Sequence, residues 1–289
     1  MRFYFPVLRV LLFFFSFVTA LANSAPDSSG IPANFVFVEG GSFLMGSDSL
    51  YADEIPQHRV TLDSFWIGKY EVTQKEWADI MGENPSSSQG DSLAIDNVSW
   101  ADVQVFIQKL NQKTGLQFSL PTEAEWEFAS RGGNASKGFL YSGSDELNDV
   151  GWYRFNSSRK KHNVGAKLPN ELGIYDMSGG VWEWCSDWYD SSYYAVSPIE
   201  NPKGPIQGTY RVARGGSWSS GTVVCRVSSR GFDSPERGDY QTGFRLVVRM
   251  RSLDRGQREN LDSGFGTRET EACGLEAGNE RCISFIIFR

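Results

Sequence analysis

Histidine is scarce in this chain of 289 residues, which carries only His58 and His162. Two histidines and four cysteines without a Cys-x-x-Cys pair give little material for a zinc site, and a serine hydrolase triad also needs a histidine beside its serine. Positive charge is short as well, because 28 lysines and arginines stand against 35 aspartates and glutamates. Binding to phosphate groups needs a basic face, so the sequence predicts no nucleic-acid partner.

Long hydrophobic runs are missing after the first 22 residues. Residues 1–22 contain two early arginines, the apolar run Val10–Val18 and the small-x-small ending Ala20-Leu-Ala22, a pattern typical of a secretory signal peptide. The alternative is an N-terminal membrane anchor, which needs roughly 20 apolar residues to cross the bilayer. We predict that the signal peptide is cleaved, that no transmembrane segment is left after cleavage, and that the protein is secreted or periplasmic.

Composition shifts divide the rest of the chain into three parts. Residues 23–34 are rich in Ser, Pro and Ala and form a predicted linker, and residues 35–250 form one predicted domain. Residues 251–289 lack periodicity and are predicted to be a poorly ordered tail. Cys273 and Cys282 of this tail are close enough in sequence to close a small disulfide loop in an oxidising compartment.

Within the domain, short strands alternate with helices. Apolar alternation on either side of Gly40-Gly41 predicts a hairpin, and the stretch His58–Ile67 predicts a second strand pair. Three capping boxes, in which a hydroxyl residue precedes an acidic residue by three positions, each start a predicted amphipathic helix. These are Thr73-x-x-Glu76, Ser99-x-x-Asp102 and Thr122-x-x-Glu125. The order of the elements predicts an α+β fold.

The stretch 132–167 shows no period of 2 or 3.6 residues and is rich in Gly, Ser and Asn. Irregular segments of this length inside a compact domain are normally functional or are held by something else. Packing of Trp152 and Tyr153 is one way to hold it, and a bound cation is another. The side chains available for such a cation are Asn148, Asp149 and Asn156.

Gly173–Asp187, which reads GIYDMSGGVWEWCSD, gathers three glycines, three carboxylates and three Trp or Tyr rings into fifteen residues. The spacing of Asp176, Gly179, Val181 and Glu183 offers two side-chain carboxylates and two backbone carbonyls at a glycine turn. Oxygen ligands of this kind suit Ca²⁺. The alternative is a tight turn that leads into a buried aromatic strand without any metal.

Six short motifs follow one another along the domain. They are Phe43-Leu-Met-Gly-Ser47, Glu71-Val-Thr73, Leu120-Pro-Thr-Glu-Ala-Glu-Trp126, Gly173-Ile-Tyr-Asp-Met-Ser-Gly-Gly-Val-Trp-Glu-Trp184, Arg214-Gly-Gly-Ser-Trp218 and Gly243-Phe-Arg245. Together they resemble the formylglycine-generating enzyme (sulfatase-modifying factor) family. The resemblance implies an irregular fold related to C-type lectins, low in regular secondary structure and held by calcium in the enzymes. It implies Asp176 and Glu183 as side-chain ligands and Gly179 and Val181 as carbonyl ligands.

The enzymes that this chain resembles convert a sulfatase cysteine into formylglycine with O₂ and a copper ion. Two cysteines, shortly after the Gly-Gly-Ser-aromatic motif, hold that copper. Here the segment reads Ser219-Ser-Gly-Thr-Val-Val-Cys225. If Arg230 is aligned through the Cys-Arg-x-x-x-Arg pattern of bacterial relatives, Cys225 falls outside the copper pair and Ser219 or Ser220 takes its first position.

Two thiolates are what select Cu(I), so a chain with one cysteine in this segment is not expected to bind copper. The resemblance therefore implies an exported, non-catalytic binding or envelope-assembly module. The alternative is a copper-dependent formylglycine-generating oxidase that acts on a sulfatase cysteine and uses Cys225 in an unusual arrangement.

A binding groove is predicted where the enzymes of the family have their active site. The candidate groove residues are Trp218, Ser219, Ser220, Arg226 and Arg230. Arginines beside an aromatic ring suit an anionic or extended peptide ligand, so we expect a protein or peptide partner in the cell envelope. For Arg230 and Arg245, a buried structural ion pair is the alternative.

Overall fold

The computed structural model describes residues 30–249 and, as backbone only, residues 270–276 and 279–285. The predicted signal peptide and most of the linker lie outside the described residues, as do the other parts of the predicted tail. Among the residues that are described, no helix is both long enough and apolar enough to cross a membrane.

Three of the four described α-helices begin where the sequence predicted them, and α4 lies in the stretch predicted to be irregular. At each of the three capping boxes the hydroxyl accepts the backbone N–H of the acidic residue, whose carboxylate accepts the N–H of the capping residue. The α-helices are α1 (Gln74–Met81), α2 (Trp100–Thr114), α3 (Glu123–Ser130) and α4 (Leu147–Val150). Short 3₁₀ helices lie at Ala52–Glu54, Gly133–Ala135, Tyr193–Ala195 and Thr222–Cys225.

The strands are short and form small sheets. In chain order they are β1 (Phe35–Val38), β2 (Gly41–Met45), β3 (His58–Leu62), β4 (Phe65–Gly68), β5 (Phe118–Ser119), β6 (Trp182–Trp188), β7 (Arg211–Arg214), β8 (Arg230–Asp233), β9 (Thr242–Gly243), β10 (Val247–Arg249), β11 (Thr270–Glu276) and β12 (Asn279–Phe285). The described sheets have the orders β1-β4-β10-β5, β8-β7-β6-β9, β2-β3 and β11-β12. Neighbouring strands are antiparallel except β6 and β9. The predicted α+β class, low in regular secondary structure, is confirmed.

The predicted hairpin around Gly40-Gly41 is wrong in its pairing. Strand β1 pairs with β4, whereas β2 pairs with β3, so the four strands form two neighbouring pairs. The chain bends at Gly40, where a side chain would lie 2.5 Å from the carbonyl oxygen of Leu62. The Gly40 N–H donates to the Ser64 hydroxyl at 2.9 Å. This contact joins the connection between β1 and β2 to the connection between β3 and β4. The alternation of apolar residues in the sequence does not predict such a contact.

Strands β11 and β12 form a hairpin within the predicted tail, where the sequence predicted no strand. Its register places Cys273 opposite Cys282 in the backbone. The structure describes only the backbone of this hairpin, so the disulfide between Cys273 and Cys282 stays a prediction.

Helix α3 is fully buried, glutamates included. Arginines from the last strands of the domain bind three carboxylates of α3. In two of these pairs the partners are more than a hundred residues apart in the sequence. The pairs are Glu123 with Arg230 at 2.8 Å, Glu125 with Arg249 at 2.5 Å and Glu127 with Arg214 at 2.5 Å. These pairs join the first half of the domain to the second, and so place the loop before β8 against the core.

Candidate functional site

A small pocket opens where three segments of backbone meet. Its empty volume is about 270 Å³ with its solvent-open mouth included. The Gly180 N–H donates to the carbonyl of Trp152 at 2.9 Å, and the Trp218 N–H donates to the carbonyl of Gly180 at 2.7 Å. Six lining residues carry the chemistry of the pocket, namely Glu71, Trp152, Lys161, His162, Asp176 and Trp218.

Two consecutive glycines let these segments approach closely. Gly179 and Gly180 both have positive φ, at 89° and 74°, a conformation that residues with a side chain seldom adopt. A side chain on Gly179 would meet the Trp152 carbonyl oxygen at 2.2 Å. One on Gly180 would meet the Glu71 carboxylate at 2.4 Å. Because Gly180 has no side chain, the space beside the Glu71 carboxylate stays open.

Glu71 and Asp176 line the pocket with buried carboxylates, being only 3% and 4% exposed. Glu71 accepts the Val181 N–H through Oε1 at 2.9 Å, and Asp176 accepts the Gly165 N–H through Oδ2 at 2.6 Å. Burial raises the pKa of Glu71 well above its usual range, and the charge of Asp176 raises it further. Burial also raises the pKa of Asp176 to about 6, although the Gly165 N–H opposes the shift.

Two cations lie close to these carboxylates, but each is bound elsewhere. Arg245 binds Glu183 with two bonds of 2.6 Å, from Nε and from Nη2. Lys161 lies 2.8 Å from a carboxylate oxygen of Asp96, and neither side chain is more than 5% exposed. Neither Glu71 nor Asp176 forms an ion pair within the described domain, which agrees with the raised pKa values of both carboxyls.

Trp152 and Trp218 both line the pocket. His162 stacks on Trp152 with ring centroids 3.7 Å apart and planes at 11°. The indole N–H groups of Trp152 and Trp218 are both buried, and neither finds a hydrogen-bond partner among the described residues. Buried donors of this kind normally have an acceptor.

The loop after β7 carries the serines that the sequence analysis assigned to the groove. The Ser219 hydroxyl donates to the Gln241 side-chain oxygen, which also accepts from Ser217 at 3.0 Å. The Ser220 hydroxyl accepts the Ser217 N–H at 2.9 Å. Both hydroxyls are thus used to hold the loop in one conformation beside Trp218.

Cys225 follows this loop and is completely buried. Its thiol donates to the Gly221 carbonyl at 3.4 Å, and a side chain on Gly216 would lie 2.6 Å from its sulfur. Burial raises the pKa of the Cys225 thiol to about 12. Cys185, the other cysteine whose side chain is described, belongs to a different hydrophobic cluster. The two thiols do not form a pair.

The two arginines of the predicted groove do not line the pocket. Arg226 binds Glu54 with two bonds, of 2.5 and 3.0 Å, and is 3% exposed. Arg230 binds Glu123 with bonds of 2.8 and 2.9 Å and is 8% exposed. The structure therefore brings Trp218, Ser219 and Ser220 together but turns both arginines into the core, and the alternative of a buried ion pair holds for Arg230 and Arg245.

The irregular stretch before the pocket is held by its own polar side chains and rings. The Asn156 carboxamide accepts the Tyr153 N–H at 2.8 Å and donates to the Gly151 carbonyl at 2.9 Å. The Tyr153 hydroxyl donates to Asn148 at 3.1 Å. These contacts, together with the stacking of Trp152, leave the Asn side chains engaged with the chain itself.

A family model described as the sulfatase-modifying factor enzyme 1-like domain matches residues 21–250. The chain belongs to this family. The Gly-Gly-Ser-Trp loop, the buried Glu183–Arg245 pair and the glycine turn at Gly179 therefore lie in a domain of the sulfatase-modifying factor type.

Three similar proteins illustrate how varied the sulfatase-modifying factor family is. The chaperone protein LppX of Paenibacillus barcinonensis is 34% identical over 83% of this chain and 99% of its own length. The formylglycine-generating enzyme of Streptomyces coelicolor is 35% identical over 59% of this chain, which spans 60% of that relative. The solved structure of Treponema denticola variable protein 1 superposes with a TM-score of 0.71 at 30% identity, over 75% of this chain and 95% of its own.

The likeness of this last structure, with the family match, confirms the predicted irregular C-type-lectin-like fold. The names of the relatives divide between a chaperone and an enzyme, so membership of the family does not by itself decide between a binding role and catalysis.

The four residues predicted to bind calcium do not fit the ion as a set. Glu183 is fully buried, both of its oxygens bind Arg245, and one of them also accepts the Trp126 indole N–H at 2.8 Å. The other carboxylate oxygen of Asp176, Oδ1, makes no hydrogen bond with any residue that the structure describes. Calcium binding at Asp176, Gly179, Val181 and Glu183 stays a prediction, and the Glu183 geometry weighs against it.

Sequence reasoning missed Glu71 and Trp152 as parts of the site. Glu71 lies two residues before Thr73, the first residue of the capping box of α1, and the sequence offered no sign that it belongs to the site. The signal that points toward it is the glycine pair. Consecutive glycines indicate that another segment of the chain approaches the backbone closely, and here that segment carries Glu71.

Proposed function

We propose that this chain is an exported, non-catalytic binding module of the sulfatase-modifying factor family. It would bind a protein partner in the cell envelope through the face formed by Trp218, Ser219 and Ser220. The observation that carries the proposal is the state of Cys225, which is buried under Gly216 with a thiol pKa of about 12. A thiol held in its protonated form is a poor metal ligand and a poor nucleophile.

The same face offers apolar surface to a partner. Phe155 is 74% exposed and Tyr240 is 52% exposed. Phe155 follows Arg154, whose N–H donates to the Ser220 carbonyl at 3.0 Å, and the Tyr240 ring lies 6.1 Å from that of Trp218. Aromatic residues are enriched at the centres of protein interfaces, so we name Phe155, Tyr240 and Trp218 the aromatic face.

The chaperone relative supports a role in assembly. LppX of Paenibacillus barcinonensis aligns over 99% of its length, so the likeness extends across that whole protein. A chaperone binds other proteins without changing them covalently, which agrees with the buried thiol. The predicted signal peptide would place the module in the envelope, where a chaperone meets exported clients.

Photo-crosslinking in cells that export the full chain tests the proposal. Benzoylphenylalanine would replace Phe155 or Tyr240 in the aromatic face, and Val105 on α2, which is 44% exposed, as the matched control. We expect one partner protein, identified by mass spectrometry, to be captured from both positions of the face but not from position 105. Capture of the same proteins from all three positions, or of none, would overturn the proposal.

A further inference from the structure

The segment 150–170 differs in charge from the rest of this acidic chain. It contains five lysines and arginines and no aspartate or glutamate. Two of the five are used within the domain, because Lys161 lies 2.8 Å from a carboxylate oxygen of Asp96 and the Lys167 ammonium lies 4.2 Å from the centre of the Trp152 ring. The other three are exposed and have no ion-pair partner among the residues that the structure describes, namely Arg154, Arg159 and Lys160.

The first of two successive turns places Arg154 beside the aromatic face. The Tyr153 carbonyl accepts the Ser157 N–H at 2.9 Å, so Arg154 and Phe155 lie within this turn. The Arg154 N–H donates to the Ser220 carbonyl at 3.0 Å. The backbone therefore fixes a cation next to Phe155, the most exposed ring of the aromatic face.

The second turn presents Arg159 and Lys160 in an unusual conformation. The Ser157 carbonyl accepts the Lys160 N–H at 3.3 Å, and the two residues between them have positive φ, at 55° for Ser158 and 59° for Arg159. Two consecutive positive φ angles are typical of a type I′ turn, in which Asn-Gly is the preferred pair. Residues with larger side chains adopt this conformation at a cost and are found in it most often at ligand-binding segments.

His162 holds the second turn from inside the domain. A carbonyl can only accept, so His162 Nε2 carries the proton and donates to the Ser157 carbonyl at 2.9 Å. The imidazole stacks on Trp152 with centroids 3.7 Å apart, and the Lys167 ammonium lies over the same indole. The turn is thus fixed by contacts that leave the Arg159 side chain exposed.

Carboxylates on helix α4 and before it limit the shape of an anionic ligand. Asp145, Glu146 and Asp149 are exposed, and α4 lies against the first turn because the Tyr153 hydroxyl donates to the Asn148 side chain at 3.1 Å. A broad anionic surface, such as a phospholipid membrane, would meet these carboxylates as well as the cations. A narrow anionic chain can contact the cations alone.

We infer that Arg154, Arg159 and Lys160, which we name the basic turns, bind an acidic peptide segment of the partner. Guanidinium groups bind carboxylates through two parallel hydrogen bonds, and an ammonium group adds a compact charge. Phe155 offers apolar contact to a side chain of the same segment. This inference rests on the proposed binding function, and it assigns the chemistry of the segment that the partner presents beside the aromatic face.

The test uses the full chain and two peptides of equal length. One is acetyl-Gly-Glu-Asp-Tyr-Asp-Glu-Gly-amide, and the other carries glutamine and asparagine in place of the four acids. Titration calorimetry measures the dissociation constant of each peptide. We expect the acidic peptide to bind at least roughly tenfold more tightly than its uncharged counterpart. We also expect its binding to weaken between about 50 mM and about 300 mM NaCl, since salt screens charges at an exposed surface.

A triple variant locates the binding, and a second triple variant controls for net charge. The first replaces the three cations of the basic turns by glutamine, and we expect it to bind the acidic peptide roughly tenfold more weakly or worse. The control removes three exposed cations from other parts of the domain and should leave binding unchanged. Its substitutions are Arg59→Gln, Lys109→Gln and Lys203→Gln. Thermal unfolding checks that both variants are folded.

Several results would overturn the inference. Equal binding of the uncharged peptide, full binding by the variant of the basic turns, or an equal loss in the control variant would each do so. Sedimentation of the chain with vesicles of equal parts phosphatidylglycerol and phosphatidylcholine, without any peptide binding, would mean a membrane-binding segment instead. If the crosslinked partner is captured but the acidic peptide does not bind, the assignment of the basic turns fails and the binding function stands. If both fail, the binding function fails as well.

Discussion

Arg245 and Glu183 form a two-bonded ion pair in which both side chains are fully buried. The two N–O distances are 2.6 Å, and the Trp126 indole adds a third hydrogen bond to the same carboxylate. Arg245 also donates to the carbonyls of Gly68 and Tyr175 at 3.0 Å. The pair therefore joins strand β4, the turn before the pocket and strand β6.

Removing one partner of this pair should destabilise the domain strongly. Glu183→Gln leaves the Arg245 guanidinium buried without its counter-charge, and breaking buried pairs in this way costs about 3–5 kcal/mol. Urea denaturation of the wild type and the variant measures the free energy of unfolding. The exposed pair Lys75–Asp79 on α1, whose side chains are 60% and 55% exposed, supplies the control variant Lys75→Met, which should change stability little. A Glu183→Gln protein as stable as this control would contradict the structural role of the pair.

Calcium should have no effect on the stability of the domain. Arg245 already neutralises Glu183, so the ion would have to bind with one of its two predicted carboxylates engaged elsewhere. We expect thermal unfolding curves in EDTA and in millimolar CaCl₂ to coincide. A ligand bound only by the native state at about 100 times its dissociation constant adds roughly 2.7 kcal/mol. A shift of that size in CaCl₂ that Asp176→Ala abolishes would establish the calcium site that the family resemblance implied.

The sequence predicted the features that depend on neighbours in the chain. Thr73 and Glu76, like the residues of the other two capping boxes, meet within one helical turn, so spacing alone fixes their contact. The pairing of β1 with β4 could not be predicted in this way. It depends on the close approach of Gly40 to Leu62 and Ser64.

The sequence predicted only the part of the site that depends on neighbours in the chain, namely the loop of Trp218, Ser219 and Ser220. Arg226 was assigned to an open groove because its partner Glu54 lies 172 residues away in sequence. Glu71 and Val181 are separated by 110 residues, and their contact fixes one wall of the pocket. Pairings of this range depend on the packing of the whole domain, which periodicity and spacing do not report.

Cys225 should resist alkylation in the folded protein. The thiolate is the reactive form of cysteine, and burial raises the pKa of this thiol to about 12. We expect iodoacetamide at pH 8 to leave Cys225 unmodified in the native protein and to modify it after unfolding in urea. Peptide mapping by mass spectrometry separates it from the other cysteines. Rapid labelling of Cys225 in the native protein would show an accessible thiolate.

The copper-dependent oxidase is tested by its own reaction. A sulfatase-derived peptide with the pattern Cys-x-Pro-x-Arg would be incubated with the full chain, copper and a reductant, and its mass would be followed over time. We expect no loss of the thiol mass beyond that given by Cys225→Ser, because a buried protonated thiol cannot take part in a two-thiolate copper site. Conversion by the wild type that the variant lacks would replace the binding proposal with the oxidase.

The stability of the domain should carry a pH dependence that Asp187 supplies. Asp187 lies in β6 and is 3% exposed, and its carboxylate accepts the N–H of Glu123, the first residue of α3, at 3.0 Å. Burial, and next the charge of Glu123, raises its pKa to about 7, whereas an unfolded aspartate has a pKa of about 3.9. Between these two values the folded state binds more protons than the unfolded state, so this residue lowers stability as the pH rises from about 4 to about 7.

Asp187→Asn removes the ionisation and can keep the hydrogen bond from Glu123 through its side-chain oxygen. The free energy of unfolding of the variant, minus that of the wild type, should therefore rise between about pH 4 and about pH 7 and level off above it. Subtracting the wild type cancels the contributions of carboxylates that do not interact with Asp187, such as Glu71 and Asp176. Urea denaturation at pH values across this window gives the difference directly. A difference that is flat with pH, or that falls as the pH rises, would mean that Asp187 is ionised in the folded protein at neutral pH and that the α3 N-terminus stabilises its charge.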